Sequence, residues 1–236
     1  MRIGGFQKTS LLDYPGKISS IIFTIGCNLR CPFCYVPQLV LPEKIKEIKE
    51  IPEDYIFSYL DKNKKFIDAV VITGGEPTIH EDLPDFIQRI KNMGFLLGLE
   101  TNGTNSQMLR YLIDKKLVDY IEMDVKTRVI FDRYKEIVGN VLTQEMFENI
   151  KSSIEILLNS GIDFEFRTTL VKEFHSREDI LEICKSIRGV KKYYLQNLKI
   201  VEELLGKRKF SSFNKEDIKK IITEGKKFVN VIYRGT

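Results

Sequence analysis

The chain is poor in the residues that mark several protein classes. It holds only four cysteines and two histidines in 236 residues. Four cysteines without a paired framework exclude a disulfide-built secreted scaffold and point to a reducing, cytoplasmic setting. No apolar run reaches the length of a membrane span, and the N-terminus carries no charged–apolar–small signal, so no membrane partner is expected. No excess of one charge exists either: 37 Lys and Arg face 33 Asp and Glu, a formal net charge of +4. The lysines are interleaved with glutamates, as in Glu43-Lys44-Ile45-Lys46-Glu47, which reads as solvated surface and not as a nucleic-acid footprint. Internal repeats and low-complexity tracts are missing as well. A hydrophobic content of 43% is that of an ordinary globular core, and the length fits one α/β domain or barrel.

What is present is concentrated. Three of the four cysteines fall in Cys27-Asn28-Leu29-Arg30-Cys31-Pro32-Phe33-Cys34, directly after an apolar run that ends at Gly26. Pro32 keeps this stretch from continuing as a regular helix, and so tight a loop can aim three thiolates at one centre. Spacing alone leaves three readings open. A [4Fe-4S] cluster held by three thiolates keeps one iron open to a small molecule. A structural zinc site wants four protein ligands, so His80, His175 or Cys184 would have to supply the fourth. The third reading is unliganded cysteines. Cys184 lies on the Ile180, Ile183 and Ile187 face of a predicted helix and reads as a small apolar filler. Both histidines read as structural or exposed.

Apolar runs and helical periodicity alternate along the rest of the chain. Strands are predicted at 18–25, 68–73, 95–101, 119–125, 162–171 and 192–198, with a short closing strand at 228–233. Helices are predicted at 54–63, 83–93, 106–115, 143–159, 177–187 and 215–227, and a further helical stretch after 125 breaks near Gly139-Asn140. Thr143 reads as an N-cap and Gly161 as the C′ residue of its helix. Residues 35–52 read as an irregular connection. Tyr14-Pro15-Gly16 is turn chemistry, so residues 1–17 read as a flap capping the first strand. Strand–helix alternation implies a parallel sheet with right-handed crossovers. In such folds the chemistry gathers at strand C-termini, and four polar strings sit there: the cysteine loop, Gly74-Gly75-Glu76-Pro77, Glu100-Thr101-Asn102-Gly103 and Asp124-Val125-Lys126. Each has a plain alternative: a strand-to-helix turn for the glycine pair, an Asn-Gly turn, and an ion pair for Asp124 and Lys126. Arg167, a charge on an apolar strand, calls for an acidic neighbour. Tyr193, Tyr194 and Gln196 are weaker candidates for the mouth of the sheet.

The cysteine loop resembles that of the radical S-adenosylmethionine (SAM) superfamily, with Cys27, Cys31, Phe33 and Cys34 matching its C-x3-C-x-aromatic-C pattern. The resemblance implies a partial (β/α)6 barrel of parallel strands. It implies a [4Fe-4S] cluster on Cys27, Cys31 and Cys34, with SAM on the open iron and Phe33 beside it. Gly74, Gly75 and Glu76 would then position the SAM amino group. Glu100, Thr101 and Asn102 would lie near the ribose and carboxylate, and Asp124, Lys126 and Arg167 would meet the carboxylate side. The lead-in Gly5-Phe6-Gln7-Lys8-Thr9-Ser10-Leu11-Leu12-Asp13-Tyr14-Pro15-Gly16-Lys17 is similar to that of the activating proteins of anaerobic ribonucleotide reductases. That likeness implies a glycyl-radical protein as partner, reached through a lateral opening of the incomplete barrel. It also implies a flavodoxin- or ferredoxin-type electron donor, since no cysteines remain for a second cluster.

The expected organisation is one domain over 1–236, with a lead-in at 1–17 and a C-terminal extension at 199–236. Two departures stand out: Tyr35 follows the third cysteine where many activating proteins carry His, and the ferredoxin-like cysteine insert of some activators is missing. The rivals are a radical SAM enzyme acting on a small molecule, such as 7-carboxy-7-deazaguanine synthase, and a non-catalytic zinc-binding module.

Overall fold

The apolar runs become strands because helices cover one side and the barrel interior the other; Val70, Val71 and Ile72 are all buried. The computed structural model describes residues 1–199, 201 and 203–235. Its strands are β1 (Ile3–Ser10), β2 (Ser19–Thr24), β3 (Ala69–Gly74), β4 (Leu96–Thr101), β5 (Tyr120–Asp124), β6 (Asp163–Leu170), β7 (Tyr193–Asn197) and β8 (Val231–Arg234). They form one sheet in chain order. Strands β2 to β8 are parallel, and β1 runs antiparallel to β2. Among the described residues β1 and β8 do not pair with each other, so the barrel stays open along one side.

The helices are α1 (Pro42–Ile45), α2 (Glu53–Asn63), α3 (Leu83–Asn92), α4 (Ser106–Asp114), α5 (Phe131–Val138), α6 (Gln144–Asn159), α7 (Arg177–Ser186) and α8 (Lys215–Gly225). Six strand–helix units run from β2 to α8, as expected for a partial (β/α)6 barrel, and β8 follows them. Apart from the short α1, each helix buries one stripe, such as Phe86, Ile87 and Ile90 on α3 or Phe147, Ile150, Ile154 and Leu157 on α6. Local caps fix several starts: Thr143 accepts from the Met146 N–H, and Ser176 and Asp179 form a capping box on α7.

Two expectations are corrected, and a third holds in position only. Gly161 directly follows the C-cap Ser160 and so takes the expected C′ place after α6, but not in the left-handed region. Ser160 leaves the helix in an extended conformation (φ −80°, ψ 154°), and Gly161 is not among the glycines of positive φ. Residues 35–52 are not wholly irregular, since a 3-10 turn at Pro37–Leu39 precedes α1. The lead-in is an edge strand followed by a plug, not a flap. After β1 the chain turns under the barrel and inserts Tyr14 against Tyr120, with ring centroids 5.5 Å apart. Gly98 leaves the space: a Cβ there would stand 3.3 Å from the Tyr14 ring. Tyr14, Ile21, Ala69, Val71 and Tyr120 thereby close the floor as a small apolar cluster, leaving the strand C-termini as the polar end.

Candidate active site

The two turns that matter most are stitched together by backbone. The Gly75 N–H donates to Thr24 O at 2.9 Å and the Glu76 N–H to Gly26 O at 2.8 Å. This lays the glycine turn after β3 directly across the residue preceding Cys27. Any side chain on Gly75 would overlap the Gly26 carbonyl, and Gly74 holds φ +113° with its would-be Cβ 2.7 Å from Thr24 O. Only glycine fits such an approach of backbone to backbone.

The cysteine loop is held from three sides. The Arg30 N–H donates to Val138 O at 2.8 Å, and the Cys34 N–H to Cys31 O at 3.0 Å. The Arg30 guanidinium donates to Cys27 O at 2.6 Å and Leu29 O at 2.8 Å. From the C-terminal segment the Leu205 N–H donates to Cys34 O at 2.9 Å and the Gly206 N–H to Pro32 O at 2.6 Å. Phe33 is buried and faces Phe174, ring centroids 6.0 Å apart.

Glu76 is the hub of the polar layer. Its buried carboxylate accepts from Thr78 N (3.0 Å), Thr78 Oγ1 (2.6 Å), Thr101 Oγ1 (2.7 Å) and Asn102 N (2.7 Å). Burial pushes its pKa up against these four donors. Asn102 in turn donates to Asn28 Oδ1 at 3.1 Å, and its Nδ2 stands 4.0 Å from Cys27 Sγ. The ends of β3 and β4 and the cysteine loop thus form one hydrogen-bonded unit.

A second network crosses the barrel. Arg167 on β6 donates to Asp124 Oδ1 (2.9 Å), Glu122 Oε2 (3.2 Å) and Glu100 Oε2 (2.8 Å). Lys126 Nζ lies 2.6 Å from Asp124 Oδ2. Arg167 and Lys126 hold the Asp124 carboxyl well below the usual carboxylate range despite its burial. Arg234 on β8 reaches Glu165 Oε1 at 2.9 Å and Glu122 Oε2 at 3.4 Å. Arg167 therefore has the acidic neighbour its position demanded, three times over.

The residues that the resemblance assigned to cluster and SAM all line one cavity of about 460 Å³: Cys27, Cys31, Phe33, Cys34, Gly74, Gly75, Glu76, Glu100, Thr101, Asn102, Asp124, Lys126 and Arg167. Sequence reasoning missed Glu122, Thr169, Asn197 and Arg234, which also line it. Period-two alternation from Asp124 back to Glu122, and from Arg167 on to Thr169, carried the first two. Nothing in the sequence flagged Arg234. Of the weaker candidates Gln196 lines the cavity, whereas Tyr193 points away and donates to Thr168 Oγ1 at 2.7 Å.

The donor set fits a cluster that leaves one iron open better than a closed zinc site. Cys184 is fully buried in the core, beside Gly225 and Val231. Both ring nitrogens of His175 are engaged, by the Val171 N–H at 3.0 Å and Lys126 O at 2.7 Å. Neither Cys184 nor either histidine lines the cavity. Burial pushes the thiols up, Cys27 to about 12 and Cys31 to about 11, and the Lys126 ammonium works against that. Iron would supply the positive charge that thiolates buried there require.

An open parallel barrel with three thiols and a polar ring at its strand C-termini defines the radical SAM class of fold. The chain belongs to the radical SAM superfamily, whose family profile matches residues 21–187. Enzymes of this family use a [4Fe-4S] cluster and SAM. It is 37% identical over 196 residues, 82% of this chain and 78% of the relative, to a Methanocaldococcus jannaschii protein provisionally named a glycyl-radical enzyme activating enzyme. It is 28% identical to the pyruvate formate-lyase-activating enzyme of Clostridium pasteurianum, over 90% of this chain and 87% of that one. It is also 26% identical to the 7-carboxy-7-deazaguanine synthase of Aquifex aeolicus, over 74% of this chain and 82% of that one. Among solved structures, a radical SAM methyltransferase from Sphaerobacter thermophilus superposes with a TM-score of 0.70 at 13% identity, covering 94% of this chain and 67% of that one. That likeness concerns the fold alone. No helix of the described residues is long and apolar enough to cross a membrane.

Proposed function

We propose that this radical SAM enzyme is an activating enzyme of a glycyl-radical protein, with an anaerobic ribonucleoside-triphosphate reductase as its partner. When bound, the cluster and SAM would supply the radical chemistry that removes a hydrogen atom from a backbone glycine of the partner. In this reading Cys27, Cys31 and Cys34 would hold the cluster, with Phe33, which faces Phe174, beside them in the loop. Gly74, Gly75 and Glu76 shape the pocket for the SAM amino group. Thr101 and Asn102 hold that turn, with Glu100 beside them near the ribose. Lys126 and Arg167, kept in place by Asp124, give the SAM carboxylate a cationic side. No side chain need move a proton, because the hydrogen-abstracting group belongs to the cofactor.

The observation that carries the reading is the chemistry of the cavity beyond the thiols. Its wall includes Thr169, Gln196 and Asn197; the Asn197 amide is tied to the Phe213 backbone and Gln196 Nε2 donates to Thr169 Oγ1 at 3.0 Å, which leaves the Gln196 carbonyl oxygen and the Thr169 hydroxyl proton to meet a peptide backbone. Of its cations Lys126, Arg167 and Arg234 are already paired with carboxylates, which leaves Lys199 as the lining cation without an ion pair among the described residues, so a substrate bearing several negative charges is poorly served. Among the described residues the edges of β1 and β8 do not pair, which leaves the barrel open at its side for a loop, and Leu12, Asp13 and Arg234 line the cavity. The activating enzymes among the relatives agree with this reading, and the lead-in string points to the reductase.

The test is anaerobic incubation of the cluster-loaded enzyme with the candidate reductase, SAM and a reductant, followed by electron paramagnetic resonance. A doublet from a carbon-centred glycine radical is expected. SAM cleavage that yields 5′-deoxyadenosine but no such doublet with any glycyl-radical protein overturns the reading in favour of a small-molecule substrate, the reaction class of the 7-carboxy-7-deazaguanine synthase relative.

A further inference from the structure

The C-terminal segment after β7 is more than a connection. Leu198 and Lys199 line the cavity, and a few residues later Leu205 and Gly206 donate their N–H groups to the carbonyls of Cys34 and Pro32. The segment therefore passes directly over the cysteine loop. Immediately after that contact come Lys207, Arg208 and Lys209, all exposed. Consecutive Cα atoms are about 3.8 Å apart, so Arg208 starts no more than about 8 Å from the contact with the loop. The Lys172 N–H donates to Ser211 O at 3.1 Å, which brings a fourth exposed cation to the same face.

This charge differs from the cations inside the barrel. Lys126, Arg167 and Arg234 sit in ion pairs, whereas Lys172, Lys207, Arg208 and Lys209 form none among the described residues. The nearby acids are already engaged: Glu203 pairs with Lys44, and Glu173 accepts from the N–H and hydroxyl of Ser211. A run of aromatic contacts leads inward from the patch. The Arg208 guanidinium lies 4.7 Å from the centroid of Phe174 and 5.0 Å from that of Phe210. Phe174 faces Phe33, the residue between Cys31 and Cys34.

We infer that Lys207, Arg208, Lys209 and Lys172 form the docking surface for an acidic one-electron carrier protein that reduces the cluster. The inference rests on the cluster assignment under Proposed function. The chain holds no second set of cysteines, so the electron must come from outside. A carrier seated here stands against the loop that would hold the cluster. The step is a transfer of one electron: the carrier is oxidised by one, the cluster is reduced by one, and no bond forms or breaks. Complementary charge would speed encounter and fix orientation, and the contact should weaken with salt.

The test uses a reduced flavodoxin of net negative charge as the probe. Calorimetry at low ionic strength gives the dissociation constant for the wild type, for K207E/K209E and for K207R/K209R. Arg208 stays untouched because it packs on Phe174 and Phe210. Charge reversal should weaken binding at least tenfold and flatten its salt dependence, and the arginine variant should stay within about twofold. The rate of SAM cleavage driven by the flavodoxin should fall in parallel, while the rate with dithionite stays unchanged. Unaltered flavodoxin affinity in K207E/K209E overturns the docking site, as does equal loss with both reductants. Equally tight binding of a DNA duplex makes this a general polyanion surface and overturns it too. A wild type that cleaves no SAM with dithionite overturns the cluster assignment first, and this site with it.

Discussion

The carboxylate of Glu76, just past the end of β3, accepts the backbone N–H of Asn102, just past the end of β4, at 2.7 Å. Together with the hydroxyls of Thr78 and Thr101 and the Thr78 N–H, this presents Glu76 with donors only. Glu76→Gln places an amide NH2 against at least one of them. We expect a loss of about 1–3 kcal/mol, read as a lowered midpoint in urea, together with weaker SAM binding by calorimetry. An unchanged midpoint would show that the four bonds do not act together.

Gly75→Ala should be the most damaging methyl group in the molecule. Its Cβ falls on the Gly26 carbonyl, which is backbone and cannot rotate aside. Overpacking of this kind costs about 1–3 kcal/mol or more. Thermal unfolding should show a clear drop, and iron content should fall with it, because Gly26 leads straight into Cys27. Gly94→Ala serves as the control: nothing stands within 4 Å of its would-be Cβ, so any cost comes from its φ of +93° alone.

Removing Arg167 strands three carboxylates. Arg167→Met should cost about 3–5 kcal/mol, the range for breaking a buried pair by deleting one partner. Arg167→Lys should recover only part, since a single ammonium cannot match the spread of the guanidinium across Glu100, Glu122 and Asp124. Urea denaturation of both variants decides it, and equal stability of the two would refute the argument from geometry.

The same network sets an acid limb. The folded-state pKa of Asp124 is depressed by Arg167 and Lys126, so its stabilisation is present above the ordinary carboxylate pKa of about 4. It is lost as pH falls from there towards the depressed value. The stability gap between wild type and Asp124→Asn should therefore be full near neutrality and shrink once the pH passes below about 4. A gap that widens on acidification would mean the pair is not formed in the folded protein.

The cysteines are expected to separate cleanly. Cys34→Ala should abolish SAM cleavage and lower iron and sulfide in anaerobically reconstituted protein, with circular dichroism unchanged. Cys184→Ala should keep wild-type iron and lose about 1 kcal/mol of stability for the missing core atom. Iron lost equally in both would place Cys184 among the ligands.

How much of this was legible beforehand depended on distance along the chain. The βα alternation and the strand-end strings could be read because each is local: Asp68 to Glu76 alone says buried strand, tight turn, polar residue. β1 was missed because its partner is chosen by an edge, not by its own pattern, and Tyr14 because a plug is defined by the Gly98 vacancy it fills. Arg167 could be recognised as needing a partner, but the number of carboxylates around it follows from the register of β4, β5 and β6, which no single strand encodes. Arg234 was out of reach for the same reason, since its neighbours Glu122 and Glu165 lie 112 and 69 residues away.

The order in which the ribosome delivers these parts has its own consequence. Cys27, Cys31 and Cys34 emerge well before Leu205 and Gly206, which clasp their loop. A nascent chain thus exposes its three thiols to whatever machinery loads iron and sulfide until that later segment follows and covers them.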